Sequence, residues 1–284
     1  MMAGIKIVTD SSCGITDEEI KKYGVSIVPL SVMIDDTVYV ERETITNDEF
    51  IKKMASSKTL PKTSQPPLGK FVDLFDELGK DGSQVIGFFM LEAISGTVHT
   101  AEQAAKLSKT DVTVIDGQYT DRALAFQVIE AAKLAQQGAD KETIIKRAEF
   151  VRDHTKLYMG VVNLDNLVKG GRLSRFSGML GGLLNIKIML VVENGELKVH
   201  TKARGLKPIK KIYKEIADQM SQIKKLGGVG ISHVDAPEMV ENISNDIAPF
   251  FPKEDICVRE TVPIIATHAG MGAFCLMYFS EDED

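Results

Sequence analysis

Apolar and polar positions change their spacing several times along the chain, and each change marks an element. Residues 5–8 are dominated by apolar side chains, which predicts a buried strand. Thr16 and Glu19 stand three apart ahead of Ile20 and Tyr23, the spacing at which each side chain takes the other's backbone N–H. Gly24 supplies a left-handed stop, so a helix is predicted up to Tyr23. Residues 26–32 and 37–40 read as strands around a turn at Asp35-Asp36. Thr46 and Glu49 repeat the reciprocal cap before Phe50, Ile51 and Met54. Pro66 and Pro67 fall where a first helical turn tolerates proline, and Leu68, Phe71, Val72, Phe75 and Leu78 follow at helical spacing. A strand at 85–90, a helix at 95–107, a strand at 112–115 and helices at 123–136 and 141–154 complete this half.

Such alternation predicts an N-terminal open α/β sheet domain, residues 1–155. The order changes after that point. A strand at 157–162 leads into a Gly-rich segment at 169–182. Strands at 186–192 and 197–203 flank Asn194-Gly195, a strong hairpin signal. A helix at 206–225, strands at 229–232, 257–261 and 273–279, and a helix near 237–247 follow. This strand-rich order predicts a C-terminal α+β two-layer sandwich domain, residues 156–284.

Composition narrows the classes. Hydrophobic residues make up 44%, enough for a sizeable core, and with 6% aromatics and no Trp that core is mainly aliphatic. A net charge of −6 argues against general attraction to nucleic acid or anionic membranes. Cys13, Cys257 and Cys275 are odd in number and far apart, which disfavours disulfide frameworks and metal knuckles. The chain opens on a strand-like segment without a signal-peptide pattern, and its longest greasy stretch, 179–192, contains Asn185 and Lys187. A cytoplasmic protein without a metal is expected. Charge is nonetheless uneven: residues 156–225 hold fourteen Lys and Arg against five Asp and Glu. That stretch reads either as solvated surface or as a docking face for an acidic partner or a phosphate. Few aromatic residues, Tyr158, Phe176 and Tyr213, are interleaved for base stacking, so nucleic acid is not expected.

Three strand ends carry small polar residues: Thr9-Asp10-Ser11-Ser12, Ser95-Gly96-Thr97 and Asp116-Gly117. In open α/β sheets such positions form anion-binding crevices, but they also simply cap helices. Thr63 and Ser64 precede a helix, where one hydroxyl can cap it and the other face a ligand. His268 lies between apolar 263–265 and the apolar last strand, with Gly270 and Gly272 beside it. A histidine so placed is either structural or ligand-facing. No GxSxG elbow, HExxH, phosphate-loop lysine motif or GxGxxG after a strand is present. The chain therefore offers polar gripping groups without an evident nucleophile, base or metal set.

Several segments resemble the DegV family of fatty-acid-binding proteins. They are Val8-Thr9-Asp10-Ser11, Val28-Pro29-Leu30, Thr63-Ser64-Gln65-Pro66, Ser95-Gly96-Thr97, the run from Asn166 to Ser174 containing Lys169-Gly170-Gly171-Arg172, Ala203-Arg204-Gly205 and Thr267-His268-Ala269-Gly270. Their order and spacing cover almost the whole chain. The resemblance implies a two-domain, non-catalytic carrier that holds one long-chain fatty acid, its tail in an apolar tunnel. Members serve as the FakB subunit of bacterial fatty acid kinase, presenting the acid to an ATP-dependent kinase subunit that makes the acyl phosphate. By motif, Thr63, Ser95 and His268 would hold the carboxyl group, and Arg172 and Arg204 would lie near the head group or the kinase docking face. No cofactor is implied beyond the bound acid, and transient contact with a membrane is compatible with such a role. The chain departs from the family pattern at 90–94, where a Ser-rich run is usual, and at 117–122. Two other readings stand beside this one. One is an enzyme acting on a small phosphorylated or carboxylated metabolite at the inter-domain crevice, supported by Asp10 and Asp116. The other is an interaction protein working through the basic face.

Overall fold

The computed structural model describes residues 4–172 and 186–282. Arg175, the glycines at 178–182 and the end of the Gly-rich motif lie outside the described residues. The chain runs β1 (Ile5–Asp10), α1 (Asp17–Tyr23), β2 (Ser26–Val28), β3 (Ser31–Ile34), β4 (Thr37–Val40), α2 (Asn47–Ser56), β5 (Lys62–Ser64), α3 (Leu68–Gly79), β6 (Gln84–Phe89), α4 (Thr97–Leu107), β7 (Val112–Asp116), α5 (Asp121–Gln136) and α6 (Lys141–Asp153). It continues through β8 (Thr155–Val161), α7 (Asp165–Lys169), β9 (Ile186–Glu193), β10 (Glu196–Arg204), α8 (Lys207–Met220), β11 (Leu226–His233), α9 (Pro237–Ile247), β12 (Ile256–Glu260), α10 (Pro263–Ala269) and β13 (Phe274–Ser280).

Strands β2-β1-β6-β7 form a parallel sheet in that order. The chain steps from β1 out to β2 and returns to the far side of β1 for β6. The carboxyl ends of β1 and β6 are therefore a topological switch point, where open α/β sheets leave a crevice. Alternate side chains serve opposite faces. Val8, Val85 and Phe89 meet Phe71 and Phe75 of α3 and Ala101 of α4. Ile7, Ile86 and Phe88 face α5.

The second sheet has the order β10-β9-β8-β13-β11-β12, antiparallel except for β11 with β12. Its outer face packs Phe274, Leu276 and Ile231 on Ile209, Tyr213 and Ile216 of α8 and Met239 of α9. Its inner face, with Leu157, Leu190, Met277 and Phe279, turns to α5. That helix is buried nearly all round, a composition suited to a layer between two sheets. Its alanines let both sheets approach, and Phe126 meets Phe279 with ring centroids 5.1 Å apart.

Both reciprocal caps form, at Thr16–Glu19 and Thr46–Glu49, and Gly24 closes α1 in the left-handed region at φ 65°. Asn194 and Gly195, at φ 53° and 70°, make the expected hairpin turn. The structure corrects four details. Residues 26–32 are two strands. Pro29 has no N–H to give a ladder, and after it the chain leaves the first sheet for a third, β4-β3-β5. β5, α7 and α10, which the sequence pattern did not predict, are too short to carry a readable period. Helix α8 stops at Met220: the Gln222 and Ile223 amides turn to carbonyls three residues back, and those of Lys224 and Lys225 go to the Asp282 carboxylate, at 2.8 and 3.1 Å. Thr63 and Ser64 do not cap α3, whose N-cap is Pro67 with no side-chain bond. Among the described residues no helix is long and apolar enough to cross a membrane.

Candidate functional site

A cavity of about 510 Å³ opens at the switch point, between the two large sheets. Small-molecule sites run to roughly 300–1,000 Å³. Leu30, Met90, Leu91 and Ile94 wall it from the first half of the chain, and Leu157, Leu190, Val192 and Leu197 from the second sheet. Ile264 and Ile265 of α10 close a further side. All of these side chains are aliphatic, so most of the surface offered to a ligand cannot hydrogen-bond.

Thr63, Ser95, His268 and Arg172 line the same cavity. Each arrives on a different element. Thr63 sits in β5, opposite Val32 of β3. Ser95 precedes α4, its hydroxyl 2.8 Å from that of Thr97 and accepting the Thr97 amide at 3.3 Å. His268 ends α10, and Arg172 follows α7, donating to the Gly170 carbonyl at 2.8 Å.

The Thr63 hydroxyl lies 3.0 Å from His268 Nε2. Burial, reinforced by the Arg172 guanidinium, pushes the imidazole down to about 4, so it is neutral near pH 7. His268 Nδ1 is buried with no hydrogen-bond partner among the described residues. If Nε2 accepts from Thr63, the spare donor is Nδ1–H. If Nε2 donates, the spare donor is the Thr63 hydroxyl. Nδ1 is packed against Gly170, so the tautomer in which Nε2 donates is the one that leaves a donor, the Thr63 hydroxyl, for a ligand, with a permanent cation nearby. An apolar cavity with donors gathered at such a group suits an amphiphile with an acidic head.

At the other strand ends the carboxylates are taken up by backbone amides. Asp10 is fully buried and accepts the amides of Ser12 at 2.8 Å and Met90 at 2.7 Å. Asp116 accepts the amides of Gln118 at 2.9 Å and Glu92 at 3.3 Å. Their carboxylates brace loops, which removes the observation that favoured a metabolite enzyme at the crevice. Arg204 is exposed at the end of β10 and does not line the cavity. Among the described residues, no cluster of three or more His, Cys, Asp or Glu side chains could hold a metal ion.

The model of a family described as "Uncharacterised protein, DegV family" matches residues 4–281. The chain belongs to the DegV family. A DegV domain-containing protein of Streptococcus pneumoniae is 45% identical over 276 residues, covering 97% of this chain and 98% of that one. Among solved structures, a fatty-acid-binding DegV family protein from Streptococcus agalactiae superposes with a TM-score of 0.88 at 29% identity, covering 99% of this chain and 100% of that one. DegV of Bacillus subtilis, a fatty acid binding protein, gives 0.87 at 29% identity, with 98% and 100% covered.

In this DegV protein the family motifs frame the cavity. Thr63-Ser64-Gln65 is β5 and its exit, Ser95-Gly96-Thr97 the entry to α4, and Thr267-His268-Ala269 the end of α10. Sequence reasoning passed over Gln65 and Thr120 as lining residues. Both stood inside segments already singled out, but nothing local distinguishes a cavity-facing hydroxyl or amide from a solvated one. Gly170 has a steric task. A Cβ there would lie 2.5 Å from His268 Nδ1 and 2.8 Å from the Asn166 carbonyl oxygen. Gly170→Ala is therefore expected to push the imidazole aside and weaken ligand retention several-fold, with a smaller loss of melting temperature. Retention equal to the parent's would show that the ring need not stay where it is.

Proposed function

We propose that this protein carries a long-chain fatty acid in the cavity. It presents the carboxyl group to an ATP-dependent kinase subunit, which transfers a phosphoryl group to a carboxylate oxygen to form acyl phosphate and ADP. The reading is carried by one observation: Thr63, Ser95, His268 and Arg172 line one cavity whose walls are mainly apolar side chains. The fatty acid binding named for the Streptococcus agalactiae and Bacillus subtilis proteins supports it. In this reading residues 1–155 and 156–284 act as two domains that enclose the acid between them. The carrier works in the cytoplasm, where ATP is available, and has no catalytic residue of its own.

Energetics divide the labour between tail and head. Burying a methylene contributes about 0.8 kcal/mol, so a dozen of them supply on the order of 10 kcal/mol. That term sets affinity but not register. A buried carboxylate without partners is very costly, so the donor set fixes which end of the ligand lies where. Arg204, on the surface beyond the cavity, serves the docking of the kinase.

Native mass spectrometry of protein purified without added lipid tests the reading. A bound mass of fatty-acid size is expected, and its removal should lower the melting temperature, since a ligand at a hundred times its Kd stabilises the folded state by about 2.7 kcal/mol. Recovery of only a nucleotide or a sugar phosphate would sink the proposal.

A further inference from the structure

Behind the cavity wall lies a carboxyl group that the ligand site does not use directly. Glu41 follows β4 and is only 1% exposed. One of its oxygens accepts from the Ser11 hydroxyl, and the other accepts the backbone N–H of Ile264 at 2.6 Å. The Ser11 oxygen in turn accepts the Leu30 amide at 2.8 Å, and the Leu30 carbonyl accepts the Glu41 amide at 3.0 Å. Leu30 and Ile264 both line the cavity. A single carboxyl group thus ties together wall residues from the two ends of the chain. The helix it holds, α10, also carries Ile265 and His268 to the cavity.

Few charges face Glu41. From β1 comes Asp10, whose charge makes a proton on Glu41 more favourable, and from its own loop Arg42, which opposes that and is itself paired with Asp17. From α10 the facing group is the Ile264 amide, with His268 one turn further on. Burial, helped by Asp10, pushes the Glu41 carboxyl up to about 7 against its two hydrogen bonds. Burial raises Asp10 too. Asp10, however, accepts two backbone N–H groups where Glu41 accepts one N–H and one O–H. Stronger N–H solvation of Asp10 leaves the pair's retained proton on Glu41.

We propose that Glu41 is a positioning residue for the ligand's head group and takes up a proton when an anionic ligand enters the cavity. This rests on the reading of the cavity as a fatty-acid site. Two buried anions near one wall repel in a medium of low dielectric constant, and a proton on Glu41 removes that repulsion. The neutral carboxyl keeps the Ile264 bond through its carbonyl oxygen, in a weaker form than the charge-assisted one, so α10 stays in place with its first turn held less tightly. Linkage is reciprocal: if ligand favours the protonated form, raising the pH must weaken the ligand.

The experiment titrates delipidated full-length protein with oleate near pH 7 in two buffers of different ionisation enthalpy, and then across pH 6 to 8. The parent is expected to take up protons on binding and to lose about fivefold or more in affinity over that range. Glu41→Gln keeps an acceptor for Ile264 and should take up none, with a nearly flat profile. Oleate's own titration is common to both proteins. Absence of proton uptake by the parent when oleate binds, or the same uptake and profile in the variant, overturns the inference. Hydrogen exchange of amides 264–269 without ligand supplies a separate arm, with protection varying with pH in the parent and constant in Glu41→Gln. If neither protein binds oleate, the fatty-acid reading falls, and differing exchange profiles uphold Glu41 as the titrating tether of α10. Identical exchange profiles in that case overturn the tether as well.

Discussion

Arg172→Glu is expected to strip the protein of its fatty acid, with affinity down by at least about 100-fold. The substitution removes a permanent cation from the cavity wall and puts a carboxylate there. At an effective dielectric constant near 20, unit charges about 4 Å apart interact by about 4 kcal/mol, and each 1.4 kcal/mol is tenfold in affinity. Desolvation and side-chain adjustment recover part of that, which leaves roughly two orders of magnitude. The imidazole of His268, now held down partly by Arg172, should titrate higher beside a glutamate. Arg204→Glu is the contrast. Sequence reasoning expected charge reversal at either arginine to spare the lipid. The cavity wall now separates them, and only Arg204→Glu should retain lipid while lowering kinase-dependent acyl phosphate formation and the salt sensitivity of association. Lipid content and kinase turnover, measured for both variants, decide the matter. Parental lipid content in Arg172→Glu would remove the arginine from the head-group site, and parental turnover in Arg204→Glu would leave it an ordinary surface residue.

His268→Ala should weaken fatty acid retention by about 10- to 100-fold while the protein stays folded. Loss of a partner to a buried charged group costs about 1–3 kcal/mol, which is that range. The variant loses the ring nitrogen and also the orientation it imposes on the Thr63 hydroxyl 3.0 Å away. Thr63→Val should therefore cost a similar amount, and the double variant less than the sum, because the two act as one donor unit. Ser95→Ala removes a hydroxyl that also accepts the Thr97 amide, so part of its effect will show as a lower melting temperature. Dissociation constants for oleate and ligand-free melting curves separate the two contributions. If all three single variants bind oleate as the parent does, the carboxyl group is held elsewhere.

Much of this protein was legible in order along the chain. The reciprocal caps at Thr16–Glu19 and Thr46–Glu49, the Asn194-Gly195 turn and the helical spacing from Leu68 to Leu78 are local interactions, complete within a few residues. Local geometry needs no partner from afar, so it can be read without one. The family motifs likewise pointed to Thr63, Ser95, His268 and Arg172, which the fold places around one cavity. What the chain could not disclose is where a polar side chain spends its hydrogen bonds. Asp10 and Asp116 looked like ligand grips at strand ends, yet their oxygens go to the amides of Met90, Ser12, Gln118 and Glu92. Arg172 and Arg204 looked equivalent, but only one turns to the cavity. Glu41 carried no signal, because its partners, Ser11 and Ile264, lie 30 and 223 residues away. Burial of a charge, and with it the shift in its proton affinity, is a property of everything packed around it. Only the tertiary structure, by bringing distant segments together and excluding water between them, decides that.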